Sequence, residues 1–534
     1  MCKASTGTGG RARDGLLPAL GLYGFVALGL AFTHYGFRPR LAEAFYTDGI
    51  VITDALRIGK RSVVVLGLLV AVAGFAAAFR PVRVGLSGIE RMLLAATVIM
   101  SAWAVGLMDY NHYYDHWFAV DRGLVLLLAA LSLRYPLLLP LFVLQLSLLN
   151  GQLSFPAFIG YDHTHKSMVI PLLWGAWLTC LYRRLSGTAG VRQGYVLLFL
   201  ALAGIWYLRA GWGKWQLDWV TDNNLYYLTG AAIHRGFDNG LPHSWVVAVA
   251  EWVRNYPVLP QIATLVVEAV GPLVLLADRR LGRVVLLSFI GLHVGIYLLS
   301  GVFFWQWIVL ESILLASSYV RPAAWGALFS IPARVFYFAL LFSLPFLIKV
   351  GKLAWMDCGY TNDFHFTLVW PDHRTEALAA SFFSPYDTGF AKNRFYFLAS
   401  EANKATTLGQ CTDADLRRNV YAARGTTGFA GRALATSDTG TTPREVSREV
   451  EDIRSRFYGF CRQFVVNKLR YDPRWISCLD PPVHMQLGPN QQNIDWPSET
   501  PDYLATEYRH SVVLPQLRVS VISSDTTLTK ISDE

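Results

Sequence analysis

The sequence predicts an all-α polytopic membrane protein that ends in a soluble domain of mixed α/β or irregular structure. Three observations carry this. Hydrophobic residues make up 53% of the 534 residues and charged ones only 16%, where soluble domains carry about 25% charge. The apolar residues gather in blocks near the ~20 residues that a bilayer-spanning helix needs. After about residue 350 the blocks stop and charge, Ser and Thr rise.

This balance excludes an ordinary cytosolic enzyme, a disordered scaffold and a disulfide-dense secreted module. Lys+Arg 47 against Asp+Glu 38 gives +9, which fits basic loops on the cytoplasmic side of a bilayer. No nucleic-acid partner is expected. Seventeen Trp and 25 Tyr suit aromatic belts at the two interfaces as well as core packing.

The first block, Leu16–Phe32, follows Lys3, Arg11 and Arg13. It is too long for a signal-peptide core and lacks a small-x-small cleavage site, so it reads as an uncleaved span. Further blocks cover Ser62–Phe79, Met92–Met108, Gly123–Leu133, Pro136–Leu149, Met168–Leu181, Gly194–Leu208, Val258–Ala277, Val284–Leu299, Val302–Ser317 and Ala333–Ile348. Several are short, Arg134-Tyr135-Pro136 reads as a hairpin or kink, and 284–317 is compatible with one broken helix. About nine to eleven spans are expected.

Short loops with Arg80/Arg83/Arg91, Arg183/Arg184/Arg192, Arg279/Arg280/Arg283 and Arg321 would be cytoplasmic. The stretches 109–121, 151–167 and 210–257 and the C-terminal domain would then be exoplasmic. The basic 34–61 loop falls on that side against the rule. The expected membrane is a bacterial inner membrane or a eukaryotic endomembrane.

The division expected is 1–89 as an N-terminal transmembrane extension, 90–320 as the core, 321–350 as a last span and 351–534 as the soluble domain. In that domain Thr442-Pro443-Arg444-Glu445 starts a helix with an N-cap, a first-turn Pro and a capping-box Glu. Val446, Val450, Ile453, Phe457, Phe460 and Phe464 give it one apolar face. Residues 424–442 read as a loop and 521–534 as a polar tail. Cys358, Cys411, Cys461 and Cys478 suggest one or two disulfides. No CxxC or zinc spacing occurs, and no metal is expected. P-loop, zincin and Ser-hydrolase motifs are absent from the sequence as well.

Ionisable groups inside spans are costly and mark functional sites. Three clusters qualify. Asp162, His163, His165 and Lys166 suit proton relay or a wet interfacial loop. Lys214, among Trp212, Trp215 and Trp219 and near Asp218, suits a general base whose proton is loosened by burial, or a snorkelling anchor. Arg209 would loosen that proton further. His293, followed by Trp305, Trp307 and Glu311, needs a partner, and Glu268 and Glu311 are the candidates. His112 and His116 read as loop residues.

The run Ala210-Gly211-Trp212-Gly213-Lys214-Trp215-Gln216-Leu217-Asp218-Trp219-Val220, the Tyr161-Asp162-His163 span start and the segment after His293 together resemble the membrane core of the vitamin K-dependent gamma-glutamyl carboxylases. They also resemble the wider HTTM (horizontally transferred transmembrane) domain family. The resemblance covers about residues 90–320 and is firmest over 154–317. It implies a membrane enzyme using a reduced quinone, vitamin K or a relative, with oxygen and carbon dioxide, on a protein or peptide substrate. It implies that Lys214 is the base toward the hydroquinone and that His163 or His165 assists the carbon dioxide step. Asp218 and Trp219 would position the segment, and His293 and Trp305 would line the cavity. Where the family has a second Lys before the catalytic one, this chain has Gly213. Nothing in the tail resembles a propeptide-binding region. Two other readings stay open: a non-enzymatic membrane protein that binds or exports a partner, and a transporter.

Overall fold

The computed structural model describes residues 8–37, 50–57, 85–107, 118–152, 168–216, 219–220 and 225–348 of the apolar part. In the C-terminal part it describes 356–357, 360–378, 380–383, 410–411, parts of 455–468 and 481–484, 500–513, 517 and 519–531. The block Ser62–Phe79, the candidates His112, His116, His163, His165 and Asp218, and the helix start at Thr442 lie outside the described residues.

Among the described residues the apolar part is mainly helical. It comprises α1 Thr8–Ala31 with a π-helical end at Phe32–Phe37, α2 Val51–Arg57, α3 Gly88–Gly106, α4 Phe118–Arg134, α5 Leu139–Gln152 and α6 Ile170–Ser186. Then follow α7 Gly194–Gln216, α8 Tyr226–His234, α9 His243–Asn255 and α10 Val258–Leu265. A π turn at Val266–Val270 leads into α11 Gly271–Val274, and α12 Arg279–Ser300, α13 Trp305–Val320, α14 Pro322–Ala327 and α15 Ile331–Leu347 complete the bundle. The break between α12 and α13 is sharp: Gly301, with φ +69°, caps α12 in the left-handed conformation that glycine adopts without a Cβ clash.

Four helical segments, Leu16–Tyr35, Gly88–Gly106, Gly194–Gln216 and Arg279–Ser300, are long and apolar enough to cross a membrane, and α9 with 258–274 makes a fifth if taken as one bent span. This is the pattern of an integral membrane protein. This is a count over the described residues, which leave out the expected span Ser62–Phe79, and α4, α5, α6, α13 and α15 have 14 to 17 residues and fall short of the length needed.

Helix α7 is the axis of the bundle. It packs against α15, α6, α3 and the π turn, and every residue from Gly194 to Tyr207 is buried. A helix apolar on all sides is what such a central place requires.

One basic position departs from the loop reading. Arg183 is buried inside α6. Its guanidinium holds the buried Glu90 through Nη1 to Oε2 at 2.8 Å and Nη2 to Oε1 at 2.9 Å. Glu90 also closes a capping box with Ser87 at the start of α3.

The C-terminal part contains a four-stranded antiparallel sheet in the order β3-β2-β5-β6 and a two-residue ladder β1-β4. The strands are β1 Met356–Asp357, β2 Tyr360–Val369, β3 Thr375–Leu378, β4 Gln410–Cys411, β5 Tyr503–Val513 and β6 Val519–Lys530. One sheet face carries Phe364, Phe366 and Leu368 into a core with Phe382, Phe383, Phe457, Phe464 and Val465. The described residues of 455–468 are helical, so Phe457 and Phe464 lie on the buried face that their spacing predicts.

Two expectations are corrected here. Residues 521–530 are not a frayed tail. Val519, Val521, Ile522, Thr526, Thr527 and Thr529 are strand formers, and β6 pairs along β5 from Val513 to Tyr503. Cys461 is a free thiol in the domain core, where burial pushes its pKa well above the ordinary thiol value. A second disulfide among the four tail cysteines is therefore excluded.

Candidate functional site

Lys214 and Tyr207 stand seven residues apart on α7. Seven residues are close to two turns, so both face the same neighbours, about 10 Å apart along the axis. Both are buried.

The sequence places Lys214 by what surrounds it. Gly211, one turn earlier, lets α7 approach the π turn so closely that a Cβ there would lie 3.2 Å from the Ala269 nitrogen and 3.3 Å from Glu268 Cβ. Trp212 and Trp215 point outward, 58% and 69% exposed. They flank the Lys without covering it. Arg209 is exposed as well, and lies away from the stripe that Tyr207 and Lys214 share. The indole that meets the ammonium is that of Trp219, with Nζ 4.8 Å from its ring centroid.

Lys214 Nζ donates to Glu268 Oε1 at 2.5 Å. Both side chains are about 5% exposed or less. The other carboxylate oxygen, Glu268 Oε2, has no hydrogen-bond partner among the described residues. The π turn sets this pairing, because its extra residue per turn rotates Glu268 relative to an α-helical register.

The second group is built around Tyr207. Its hydroxyl donates to Glu311 Oε1 at 2.8 Å and lies 2.7 Å from His293 Nε2. With its only proton given to Glu311, the Tyr207 oxygen accepts from His293 Nε2–H. His293 Nδ1 is then an acceptor, and neither it nor Glu311 Oε2 has a partner among the described residues. Phe289 stacks on Tyr207 at 3.9 Å, while Phe304 and Trp307 hold the imidazole at 5.0 and 5.8 Å.

Glu268 Oε2, His293 Nδ1 and Glu311 Oε2 are thus three buried acceptors in one region of the bundle. They give the cluster unused capacity to accept hydrogen bonds or to pass a proton.

The expected residues distribute as follows. Lys214 and His293 face the same part of the bundle, and Trp219 stands beside the Lys. Trp305 packs edge-on against Trp103 at 5.2 Å, so the indole next to His293 is Trp307. Of the two carboxylates considered for His293, Glu311 lies 3.9 Å from it and Glu268 serves Lys214. The structure adds Tyr207 to these residues. Its signal is the seven-residue spacing to Lys214 inside one apolar helix. Among the described residues no group of three or more His, Cys, Asp or Glu is placed to hold a metal.

The C-terminal sheet lies over this end of the bundle. Asp363, buried on β2, receives Arg235 Nη1 at 2.9 Å on Oδ1, and Oδ2 lies 3.5 Å from His234 Nε2 and 3.6 Å from His365 Nε2. Burial alone would raise the Asp363 pKa, but Arg235, His365 and His234 outweigh it and hold the carboxyl far below its usual range. Burial lowers His234 against the pull of Asp363, with His365, Arg235 and Arg509 adding to the lowering. The Phe303 amide donates to the His484 carbonyl at 2.7 Å, and the His484 ring meets Phe304 at 5.0 Å. A segment of the C-terminal part therefore touches the aromatic shell of His293.

No protein-family model matches the chain, and no curated protein or solved structure does.

Proposed function

We propose that the chain is an HTTM-like membrane enzyme that takes a proton from a lipid-soluble hydroquinone at Lys214, in the manner of the vitamin K-dependent carboxylases. The observation that carries this reading is the buried Lys214–Glu268 pair with its unpartnered Oε2, two turns of α7 from Tyr207, His293 and Glu311. A buried ammonium–carboxylate pair can return its proton to the carboxylate, because two neutral groups escape the desolvation cost of two charges. That leaves Nζ as a base. Glu268 Oε2 offers an acceptor for a hydroxyl donor, and the apolar surroundings keep water from competing. These features fit a flat apolar diol. When bound, the hydroquinone supplies the acidic hydroxyl and the reactivity toward oxygen. The chain's own work is to accept the proton at Nζ while Glu268 keeps the one it took back, and to orient a second polar group through His293 Nδ1. His163, His165 and Asp218 complete the proposed site, with a peptide Glu as acceptor of carbon dioxide and the C-terminal domain on the exoplasmic side.

The test uses protein in lipid nanodiscs with reduced naphthoquinones, oxygen, labelled bicarbonate and Glu-containing peptides. Wild type should form epoxide, and Lys214→Met should lose it while still eluting as folded protein. Label in peptide would establish carboxylation. Folded wild type that forms no epoxide with any quinone tested would overturn the proposal.

One observation favours a second reading. Glu268 neutralises Lys214 by itself, so the pair also suits a static tie between α7 and the π turn in a non-enzymatic membrane protein. In that case substitution of Lys214 would alter stability alone.

A further inference from the structure

Helix α9 is an unusual element for its position. Trp245, Val249, Trp252 and Tyr256 fall within an arc of about 60° on its surface at 100° per residue. All four are exposed, Trp245 by 66% and Tyr256 by 63%. One flank, at Val246, Ala250 and Val253, is covered by protein. Ala250 packs in a cluster with Tyr226 and with Leu517 of the C-terminal part. Glu251 accepts from the Tyr226 hydroxyl at 3.1 Å, and Arg254 lies over the Tyr226 ring at 5.4 Å. The charges of α9 are thus drawn toward α8, away from the aromatic stripe.

At Pro257 the chain bends by 86° into 258–274. The exposed stripe continues around the bend through Leu259, Ile262, Val266 and Val270. The second arm spans 17 residues, about 25 Å at 1.5 Å per residue. If that arm crosses the bilayer, a helix at right angles to its end lies in the plane of the membrane.

We infer that α9 is an in-plane interfacial helix whose Trp245, Val249, Trp252 and Tyr256 face is seated in the headgroup–acyl boundary of one leaflet. This rests on the reading of the chain as a membrane protein. The occupant is lipid because the stripe is continuous with the outward face of the bent span. Its composition is also that of an interfacial helix, with large apolar side chains and Trp and Tyr at the boundary. The stripe carries no cation, so neutral phosphatidylcholine suffices. The consequence for the site is a fixed depth. Glu268 lies ten residues beyond Val258, about 15 Å beneath α9, which puts the Lys214–Glu268 pair near the bilayer midplane. The C-terminal sheet, held to the other side of α9 by Leu517, is then pinned at the membrane surface.

Photo-crosslinking tests this with the full chain in phosphatidylcholine nanodiscs. A benzophenone amino acid is placed at Val249 or at Trp252, both exposed, with Leu287 on the outward face of α12 as the span control. Leu528 on β6 serves as the solvent control. Lipid adducts read by mass spectrometry are expected at 249 and 252 in yields like those at 287, with none at 528. Adducts at 287 but none at 249 and 252 would overturn the inference while leaving the membrane reading intact. Absence of adducts at 287 as well would remove both.

Discussion

The buried ion pairs Glu90–Arg183 and Lys214–Glu268 differ in how completely they are satisfied among the described residues. At Glu90–Arg183 nearly every polar atom is used. Glu90 accepts from the Ser87 amide at 2.8 Å, the Tyr195 amide at 3.1 Å and both terminal Arg183 nitrogens. Arg183 gives its remaining hydrogens to the Ala189, Val191 and Gly85 carbonyls. The pair ties the start of α3 to the end of α6 and the start of α7. At Lys214–Glu268 one carboxylate oxygen is left over, and the neighbouring His293 and Glu311 each keep an unpartnered atom. A fully bonded pair has nowhere to send a proton or receive a ligand. The other leaves a buried acceptor that a ligand hydroxyl or a water can use.

The difference can be broken by substitution. Arg183→Ala leaves Glu90 buried without its charge partner, and the loss should be about 3–5 kcal/mol. It should appear as a large drop in the detergent melting temperature, or as failure to elute monodisperse. The pair Lys214→Met with Glu268→Leu removes both charges together. Exchange of a buried pair for apolar side chains is often neutral or stabilising, by up to about 4 kcal/mol. Folding should therefore persist while epoxide formation disappears. A double variant that melts as early as Arg183→Ala would show both pairs to be structural.

Tyr207→Phe sharpens the contrast more gently. It removes one hydroxyl that serves both His293 and Glu311, at a cost of about 1–3 kcal/mol. Its melting temperature should fall less than that of Arg183→Ala. Tyr195, an equally buried tyrosine, supplies the control through Tyr195→Phe.

The smallest effect concerns pH at the sheet. Asp363 on β2 is faced by His234 and Arg235 from α8, by His365 and Thr361 on its own strand, and by Arg509 across the sheet on β5. Arg509 itself is engaged with Glu507. His234 has a lowered pKa when docked. Its contribution is therefore fully present above its undocked value near 6.5 and declines as pH falls through that region. Proteolysis of the C-terminal part should quicken between about pH 7 and 5, and His234→Gln should flatten the profile. An unchanged rate in wild type across that range would remove the Asp363 cluster from the docking.

Lys214 and His293 were legible as lone ionisable residues inside apolar helices. So was Glu311, as a carboxylate in the neighbouring block. The pairing was not, because it depends on the π turn, and nothing in Val266-Val267-Glu268-Ala269-Val270 announces an extra residue. Arg183 reads as a loop charge in sequence because it is basic and stands near a helix end. Only Glu90, 93 residues earlier, draws it inward. The β6 strand was missed through its Ser and Thr content. Both read as polar by hydropathy, yet the β-branched Thr526, Thr527 and Thr529 suit an edge strand.

The π turn has a consequence for ancestry. It amounts to an α-helix that has taken in one residue beyond what its hydrogen-bond ladder requires. Removing one residue from 266–270 would restore the ladder and swing Glu268 by about 100° away from Lys214. Among related chains, a single-residue length difference at this place should therefore travel with the presence or absence of the lysine. Kinship and loss of function could then be traced by counting residues between Pro257 and Gly271, even where side chains have diverged beyond comparison.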